Sequence, residues 1–238
     1  NNITSFYYDD KGTMWVGTYK KGISFYNKST FKFGIDHIGD INCIEEGNNG
    51  SLWLGTNDAG LINWNRNNNE VTTYVQNKGN SLSSNTVVCL LRDRDNSLWV
   101  GTFWGGLSHL VNGKFITYKN DPKNENSLAN NNVWALAQDN YGKIWIGTLG
   151  GGLQSFDPAN NKFKTYNLKS GKLRTDYISS IFISGNDMVV GTSYGISLIN
   201  IKEDKILNLV GSKSGSQEFS SLNVGQVYKD SRGLIWIG

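Results

Sequence analysis

Proline, cysteine and histidine are scarce in this chain, and long hydrophobic runs are missing. Its 238 residues include 2 prolines, 2 cysteines and 2 histidines. No apolar run approaches the ~18 residues that a membrane-spanning helix requires. The net charge of +3 is distributed over many loops and is not gathered into a basic block of the kind that binds nucleic acid. We therefore expect this region to contact neither nucleic acid nor a membrane.

Residues with catalytic or metal-binding chemistry are correspondingly few. His37 is expected in a loop and His109 inside a strand, and neither has a sequence neighbour at metal-ligand or triad spacing. The acidic pair Asp9 and Asp10 lacks the ligand string of a calcium loop. The sequence thus predicts no metal, no cofactor and no enzymatic activity. A glycosidase or lyase whose carboxylates meet across separate repeats is the enzymatic alternative.

Glycine, by contrast, is abundant, with 28 residues, and it marks a recurring motif. Residues 15–18 read Trp-Val-Gly-Thr, and copies follow at 53–56, 99–102, 145–148 and, without the tryptophan, 189–192. A shortened copy occupies 236–238. The motif glycines lie 38, 46, 46, 44 and 47 residues apart. A period in this range is typical of repeat architectures.

The third repeat illustrates what each copy contains. Short β-type runs are predicted at 87–91, 98–102, 107–111 and 114–118, with turns between them. Asn112-Gly113 favours a two-residue type I′ turn, because both central residues need positive φ. Nothing in the chain reads as an amphipathic helix. Four short antiparallel strands per repeat, with glycine turns and a periodic tryptophan, are typical of a β-propeller blade.

This architecture assigns structural roles to the recurring residues. A tryptophan fills the space between neighbouring blades, and the glycine two residues later lets the next sheet approach closely. Core positions, and not a ligand cage, are therefore predicted for Trp15, Trp53, Trp99, Trp145 and Trp236.

The two cysteines, Cys43 and Cys89, occupy the same position of two repeats. Other repeats place Ser5, Ala135 and Ser180 there. Small buried thiols are the favoured interpretation. A disulfide would require the two Cα atoms to lie within ~7 Å of each other.

The predicted fold is all-β, a β-propeller of four-stranded antiparallel blades with about five blades plus half a blade. We expect one partial propeller with blades at approximately 1–39, 40–84, 85–130, 131–175 and 176–222 and a half-blade at 223–238. Because no signal peptide precedes the first motif, the chain is expected to be either cytoplasmic or cut from a larger protein. The last motif stops before its threonine, which favours a piece of a longer propeller. Because ring closure removes sheet edges, such a piece should self-associate or depend on a partner.

The segment from Val133 to Leu153 reads Val-x-x-Leu-x-x-Asp-x-x-Gly-x-Ile-Trp-Ile-Gly-Thr-x-x-Gly-Gly-Leu and resembles the two-component regulator propeller repeat. The resemblance implies a fragment of a seven-bladed ring in the periplasmic sensor region of a hybrid two-component histidine kinase of Bacteroidetes. It also implies a phosphorelay that responds to glycan fragments and regulates polysaccharide-utilisation genes, and a homodimer formed through the parent protein. Val189 in place of tryptophan, the short first period and the missing final blades depart from the family pattern.

Candidate ligand-binding residues come from one end of the predicted blades, where the turns after the second strands meet the links between blades. Aromatic faces with nearby amides and charges suit a sugar, because its C–H faces stack and its hydroxyl groups need donors and acceptors. Phe103 and Trp104, adjacent in one turn, are the clearest signal, although they would also serve to pack against loops or another subunit. The predicted residues are Tyr19, Asn57, Phe103, Trp104, Trp134, Arg174, Tyr177 and Tyr194.

The sequence therefore predicts a ligand-sensing extracytoplasmic propeller that recognises an oligosaccharide through the face carrying Phe103, Trp104 and Trp134. Binding would shift the population of sensor arrangements. A protein-interaction scaffold is the first alternative, and a propeller glycosidase or lyase is the second.

Overall fold

The structure is a computed structural model that describes residues 3–19, 22–27, 32–36, 39–77, 81–209, 223–230 and 232–238. His37 lies outside the described residues. Six antiparallel sheets account for nearly all regular structure in these ranges. The one helical segment among them is a single 3₁₀ turn at Asn48–Gly50.

The first three blades contain twelve strands. Blade 1 consists of β1 (Ile3–Tyr8), β2 (Thr13–Thr18), β3 (Gly22–Asn27) and β4 (Lys32–Asp36). Blade 2 consists of β5 (Ile41–Glu46), β6 (Ser51–Thr56), β7 (Leu61–Asn65) and β8 (Glu70–Tyr74). Blade 3 consists of β9 (Val87–Arg92), β10 (Leu98–Thr102), β11 (Gly106–Val111) and β12 (Lys114–Tyr118).

The remaining strands repeat this layout. Blade 4 consists of β13 (Val133–Gln138), β14 (Ile144–Thr148), β15 (Leu153–Asp157) and β16 (Lys162–Tyr166). Blade 5 consists of β17 (Ile178–Ser184), β18 (Asp187–Thr192), β19 (Gly195–Asn200) and β20 (Lys205–Leu209). A two-stranded sheet follows, formed by β21 (Val227–Lys229) and β22 (Ile235–Ile237).

Each four-stranded sheet places its strands in chain order, so every blade is an antiparallel meander. This arrangement confirms the predicted four-stranded repeat, and the strands of the third repeat match their predicted bounds to within one residue. Asn112 and Gly113 have φ values of 49° and 72°, which confirms the positive φ expected at both central positions of that turn.

The chain divides into two compact units, Asn1–Thr117 and Tyr118–Gly238. In the first unit β1 contacts β5 and β5 contacts β9, and in the second β13 contacts β17 and β17 contacts β21. The first strand of each blade therefore packs against the first strand of the following blade within its unit. In the described part of the chain, no helix has the length and hydrophobicity of a membrane-spanning segment.

The motif glycines permit this close approach between blades. A Cβ atom at Gly55 would lie 2.6 Å from Val87 Cγ1, and one at Gly147 would lie 2.6 Å from Ile178 Cγ2. Real Cβ contacts are much longer, so only glycine allows the next first strand to come this near. The predicted role of the motif glycine is confirmed.

The cysteines lie beside these glycines. Cys43 pairs with Gly55 and Cys89 with Gly101 in the register of their sheets. Neither thiol forms a disulfide, and burial raises the pKa of each. A small side chain is needed there because the following blade packs directly over the glycine.

The motif tryptophans fill the core in most blades. Trp15, Trp99 and Trp145 are 5%, 0% and 3% exposed, which confirms their predicted positions. Trp53 is only half-buried. For Trp236 the prediction is wrong, since its side chain is 56% exposed. The sheet of β21 and β22 has only two strands, so no third or fourth strand of that sheet covers the ring.

Candidate functional site

Two ends of the blades present loops. We call the end formed by the turns after the second strands and the links between blades the linker end. The turns after the first and third strands form the hairpin end. All eight predicted ligand-binding residues belong to the linker end, four in each unit.

The motif threonine determines the shape of each linker-end turn. In the five complete blades its hydroxyl donates to the carbonyl oxygen of the glycine that precedes or begins the third strand, at 2.8 or 2.9 Å. Trp-x-Gly-Thr therefore encodes the turn as well as the strand. In blade 3 the residues between the threonine and the glycine include the exposed Trp104.

Phe103 and Trp104 occupy such a turn in blade 3. The Phe103 backbone N–H donates to the Thr86 carbonyl oxygen at 3.0 Å. The turn is pressed against the preceding link, because a Cβ atom at Gly105 would lie 2.7 Å from Ser84 Cβ. The two aromatic rings meet edge to face with centroids 5.4 Å apart. The pair is thus held in one position.

Trp104 is the most unusual residue of this end. Its side chain is 70% exposed, and its φ is 63°, in the left-handed region. Blade 4 places Gly150, with φ of 110°, at the corresponding position. For a bulky residue the left-handed conformation costs about 1–2 kcal/mol. Backbone strain of this kind is concentrated at functional sites.

Asn57 lies next to this turn in the first unit. Its backbone N–H donates to the Asp40 carbonyl at 3.0 Å, and its carbonyl accepts from Thr86 Oγ1 at 2.7 Å. Thr86 therefore bridges Asn57 and Phe103. Tyr19, the fourth predicted residue of this unit, is 42% exposed in the turn of blade 1.

In the second unit, Trp134 is the residue that a β-bulge inserts between Val133 and Ala135. A bulge re-aims its extra residue away from the ladder. The Trp134 side chain is 38% exposed. The alternation pattern of the sequence did not predict the bulge, because two residues here face one on the partner strand.

Arg174, Tyr177 and Tyr194 gather around Ser193 in the same unit. The Ser193 N–H donates to the Tyr177 carbonyl at 3.1 Å, and its hydroxyl lies 2.8 Å from that of Thr175. Tyr177 is 55% exposed and Tyr194 48% exposed, and Arg174 is also exposed. The structure thus joins the link that carries Arg174 and Tyr177 to the turn that carries Tyr194.

The hairpin end has a polar feature that the sequence analysis missed. An aspartate six residues before the motif tryptophan accepts a hydrogen bond from the indole N–H, at 2.8 to 3.2 Å. These carboxylates are Asp9, Asp93, Asp139 and Asp230. The constant spacing to the tryptophan is the signal that could have identified them. Asp9 thus serves the fold, and among the described residues no group of three His, Cys, Asp or Glu side chains could hold a metal ion.

Asp9 shows how the site tolerates a buried carboxylate. Burial alone would raise its pKa, but hydrogen bonds from the Trp15 indole, the Thr13 N–H and Arg66, together with the Arg66 charge, hold the pKa below its usual value. Only 3% of Asp9 is exposed. The carboxylate therefore remains ionised inside the blade and fixes the hairpin turn.

His109 also lies near the hairpin end, inside β11 as predicted. Its ring stacks on Trp99 with centroids 3.7 Å apart, and its Nε2 lies 2.7 Å from Ser97 Oγ. Burial lowers the pKa of His109, and the charges of Asp93 and Asp95 oppose that shift. The serine partner lies twelve residues away in sequence, just before the adjacent strand β10, which is why the sequence did not reveal it.

Four-stranded meanders stacked through their first strands define a β-propeller. The model of the two-component regulator propeller family matches residues 1–20, 38–58, 81–104 and 127–150. The chain thus contains four copies of the two-component regulator propeller repeat. No curated protein matches it.

Solved structures share the fold at low identity. The extracellular domain of a hybrid two-component system of B. thetaiotaomicron is 22% identical, with a TM-score of 0.78 over 99% of this chain and 31% of that chain. A second such domain from the same bacterium is 20% identical, with a TM-score of 0.76, and 37% of it is covered. Virginiamycin B lyase from Staphylococcus aureus is 11% identical, with a TM-score of 0.75 and 76% of that chain covered. The chain spans about a third of the length of the two-component domains.

Proposed function

We propose that this chain is part of the periplasmic sensor propeller of a hybrid two-component regulator and that its linker end binds an oligosaccharide. The observation that carries the proposal is the exposed Trp104 indole, held with Phe103 on a left-handed backbone. Support for the setting comes from the family match and from the extracellular two-component domains that share the fold.

Sugar recognition accounts for the chemistry of the linker end. An indole and a phenyl ring fixed in advance offer apolar area to the C–H face of a sugar with little loss of side-chain entropy. Asn57 supplies a donor and an acceptor beside that pair in the first unit. Arg174 supplies donors beside Tyr177 and Tyr194 in the second.

The signalling step then belongs to the parent protein. A ligand that binds one sensor arrangement better than another shifts their populations by its differential affinity. In this proposal the parent is a histidine kinase that acts as a homodimer, drives a phosphorelay and regulates polysaccharide-utilisation genes. The chain itself is a binding module, and the likeness to the lyase extends to the fold alone.

The test is calorimetric titration of the protein against a panel of oligosaccharides, with a Phe103→Ala/Trp104→Ala double variant. We expect the double variant to bind at least roughly tenfold more weakly, since tenfold corresponds to about 1.4 kcal/mol of lost stacking. The matched control is Tyr141→Ala, which removes an aromatic that is 58% exposed at the hairpin end, and its affinity should equal that of the unmodified chain.

Other outcomes would contradict the proposal. Unchanged affinity in the double variant would remove this site assignment. Absence of glycan binding together with a specific protein partner would favour a scaffold. Turnover of a polysaccharide by the full-length propeller would favour a hydrolase or lyase.

A further inference from the structure

Blade 2 departs from the indole–carboxylate pattern of the hairpin end. The position six residues before Trp53 holds Gly47, where the other tryptophan-bearing sheets have aspartate. Within the described part of the chain, no residue accepts a hydrogen bond from Trp53 Nε1, and the side chain is half-buried. This motif indole therefore has a donor available to a ligand.

The side chains that the next blade places over Trp53 are also smaller than those over Trp15. Over Trp15, blade 2 places Trp64, edge to face at 5.6 Å, and the Arg66 guanidinium, 5.1 Å from the ring centroid. In the strand registers Leu52 pairs with Trp64 and Leu98 pairs with Leu110. Leu110 of blade 3 therefore corresponds to Trp64 of blade 2, and Asn112, two residues later, corresponds to Arg66. Both are shorter, and Trp53 has no comparable cover.

The result is a cleft of about 630 Å³ between blades 2 and 3, within the first unit. The corresponding cleft between blades 4 and 5, where Trp145 keeps Asp139 as its acceptor, measures about 370 Å³. Ligand pockets commonly measure 300–1,000 Å³. Gly47 in place of aspartate, Leu110 in place of tryptophan and Asn112 in place of arginine thus coincide at the larger of these two clefts.

Aromatic and amide groups line this cleft together. The rings of Trp53 and Tyr74 lie 5.9 Å apart. Asn63 pairs with Trp53 in the register of the sheet, and Asn65 follows on the same strand. Asn63 Nδ2 donates to Ser51 Oγ at 3.4 Å, and Asn65 Oδ1 accepts from the Asn67 N–H at 3.0 Å. The Asn63 Oδ1 atom and the Asn65 Nδ2 group remain as acceptor and donor for a ligand. Amide groups placed beside an aromatic floor serve a ligand that carries both C–H faces and hydroxyl groups.

The charges of the cleft are balanced. Arg92 Nη2 donates to Asn48 Oδ1 at 2.9 Å and to Asn96 Oδ1 at 2.6 Å, which orients the guanidinium. Asp95 is the carboxylate of the lining, and hydrogen bonds from Ser97 hold its pKa below the usual value. One cation and one anion favour a neutral ligand over an ionic one.

We propose that this cleft is a second binding site, for a neutral saccharide, at the end of the blades opposite the linker end. A sugar hydroxyl or ring oxygen accepts the hydrogen bond of Trp53 Nε1, in the place that aspartate takes in the other sheets. The C–H face of the sugar packs on Trp53 and Tyr74, and its remaining hydroxyl groups bond to Asn63, Asn65 and Arg92. This site stands independently of the linker-end proposal.

The test uses the indole ¹⁵N–¹H resonances of the intact chain, with the Trp53 resonance assigned by Trp53→Phe. Cellotriose, maltotriose, galactotriose and arabinotriose serve as probes. We expect the Trp53 N–H to exchange with solvent faster than those of Trp15, Trp99 and Trp145, and at least one probe to shift it in a saturable manner. Trp53→Phe, which keeps a ring without the donor, should weaken that probe by roughly three- to tenfold.

Gly47→Asp is the decisive variant, because it restores the acceptor. A Cβ atom at position 47 would lie 3.2 Å from Trp53 Nε1 and 2.2 Å from Ser51 Oγ, so the serine must rotate. Ser97, its counterpart beside Asp93, is turned toward His109. We expect the Trp53 indole N–H to exchange slowly and the affinity for the probe to fall at least roughly tenfold, because the probe must compete with the new carboxylate for that N–H. Gly47→Ala adds only the Cβ atom and should keep fast exchange.

A second variant that fills the cleft and a second control distinguish blockage of the site from misfolding of the chain. Leu110→Trp closes the cleft from blade 3, as Trp64 does over Trp15, and should also abolish the shift. The Phe103→Ala/Trp104→Ala variant should leave the Trp53 response intact even if it loses linker-end binding. No shift of Trp53 with any probe, or an equal shift in Gly47→Asp, would overturn the proposal.

Discussion

At the scale of the residue, the aspartate of the hairpin turn joins three kinds of group. Its carboxylate accepts from an indole, from backbone N–H groups and, at Asp9, from Arg66. A buried charge is tolerated only when its lone pairs are satisfied. The turn, the strand and the next blade therefore depend on one side chain.

This arrangement predicts an acid-dependent stability. The pKa of Asp9 is lower in the folded chain than in the unfolded chain, so the unfolded state binds more protons in acid. The stabilisation is present above about pH 4 and is lost as the pH falls through the depressed folded pKa. Asp9→Asn should cost about 2 kcal/mol at pH 7 and flatten the dependence below pH 5.

Urea unfolding at pH 7 and at pH 3 measures both effects. Asp10→Asn alters an exposed neighbour and is the control, with no change expected. A full acid dependence in Asp9→Asn would assign the effect to other carboxylates.

Residue-scale roles were only partly predictable. The aspartates could be read from their spacing to tryptophan, and Gly47 would then have appeared as the exception. The cleft beside Gly47 could not have been predicted in this way, because it also depends on Leu110 and Asn112 of a neighbouring blade. Which side chains face each other across two blades follows from packing, and a single repeat does not encode it.

At the scale of the element, the approach of successive first strands sets the tolerance for substitution. Gly147→Ala would place a Cβ atom 2.6 Å from Ile178 Cγ2 and 3.2 Å from Ala135 Cβ. Overpacking of this kind costs about 1–3 kcal/mol. We expect a lower midpoint of urea unfolding by that amount.

Gly225→Ala is the matched control. A Cβ atom there would meet the Gly238 carbonyl oxygen at 3.4 Å, an ordinary contact, and the position is exposed. Its stability should change by less than about 0.5 kcal/mol. Equal losses in both variants would show that the glycines serve chain flexibility instead of packing.

The strands were the most predictable elements, since alternating apolar residues and glycine turns define them locally. The bulge at Trp134 was not predictable in this way. The bulge depends on the pairing of β13 with β14, and the sequence shows it only as one extra residue in β13.

At the scale of the whole molecule, apolar side chains remain exposed on the first and last sheets. Phe6 and Tyr8 are 64% and 65% exposed, and Leu234 and Trp236 are 52% and 56% exposed. Apolar surface of this kind on a soluble chain promotes association. We expect the 238-residue chain to self-associate as its concentration rises.

Sedimentation equilibrium would measure this behaviour. Phe6→Ser/Tyr8→Ser should lower the apparent mass at a given concentration, whereas Tyr141→Ser, at an exposed aromatic of the hairpin end, should not. A monomer at every concentration would contradict the expectation. The period of the motif predicted the propeller fold as a whole, but the exposure of these faces depends on which blades are present.

The threonine hydroxyl that closes each linker-end turn has an evolutionary consequence. Because the bond from Thr102 to Gly106 is made by residues flanking the loop, it does not depend on the side chains between them. Blade 3 displays Phe103-Trp104 there and blade 4 Leu149-Gly150, on the same closure. Ligand specificity can therefore change by substitutions within a single loop, while the hydrogen bond that closes the turn and the strands of the blade stay the same.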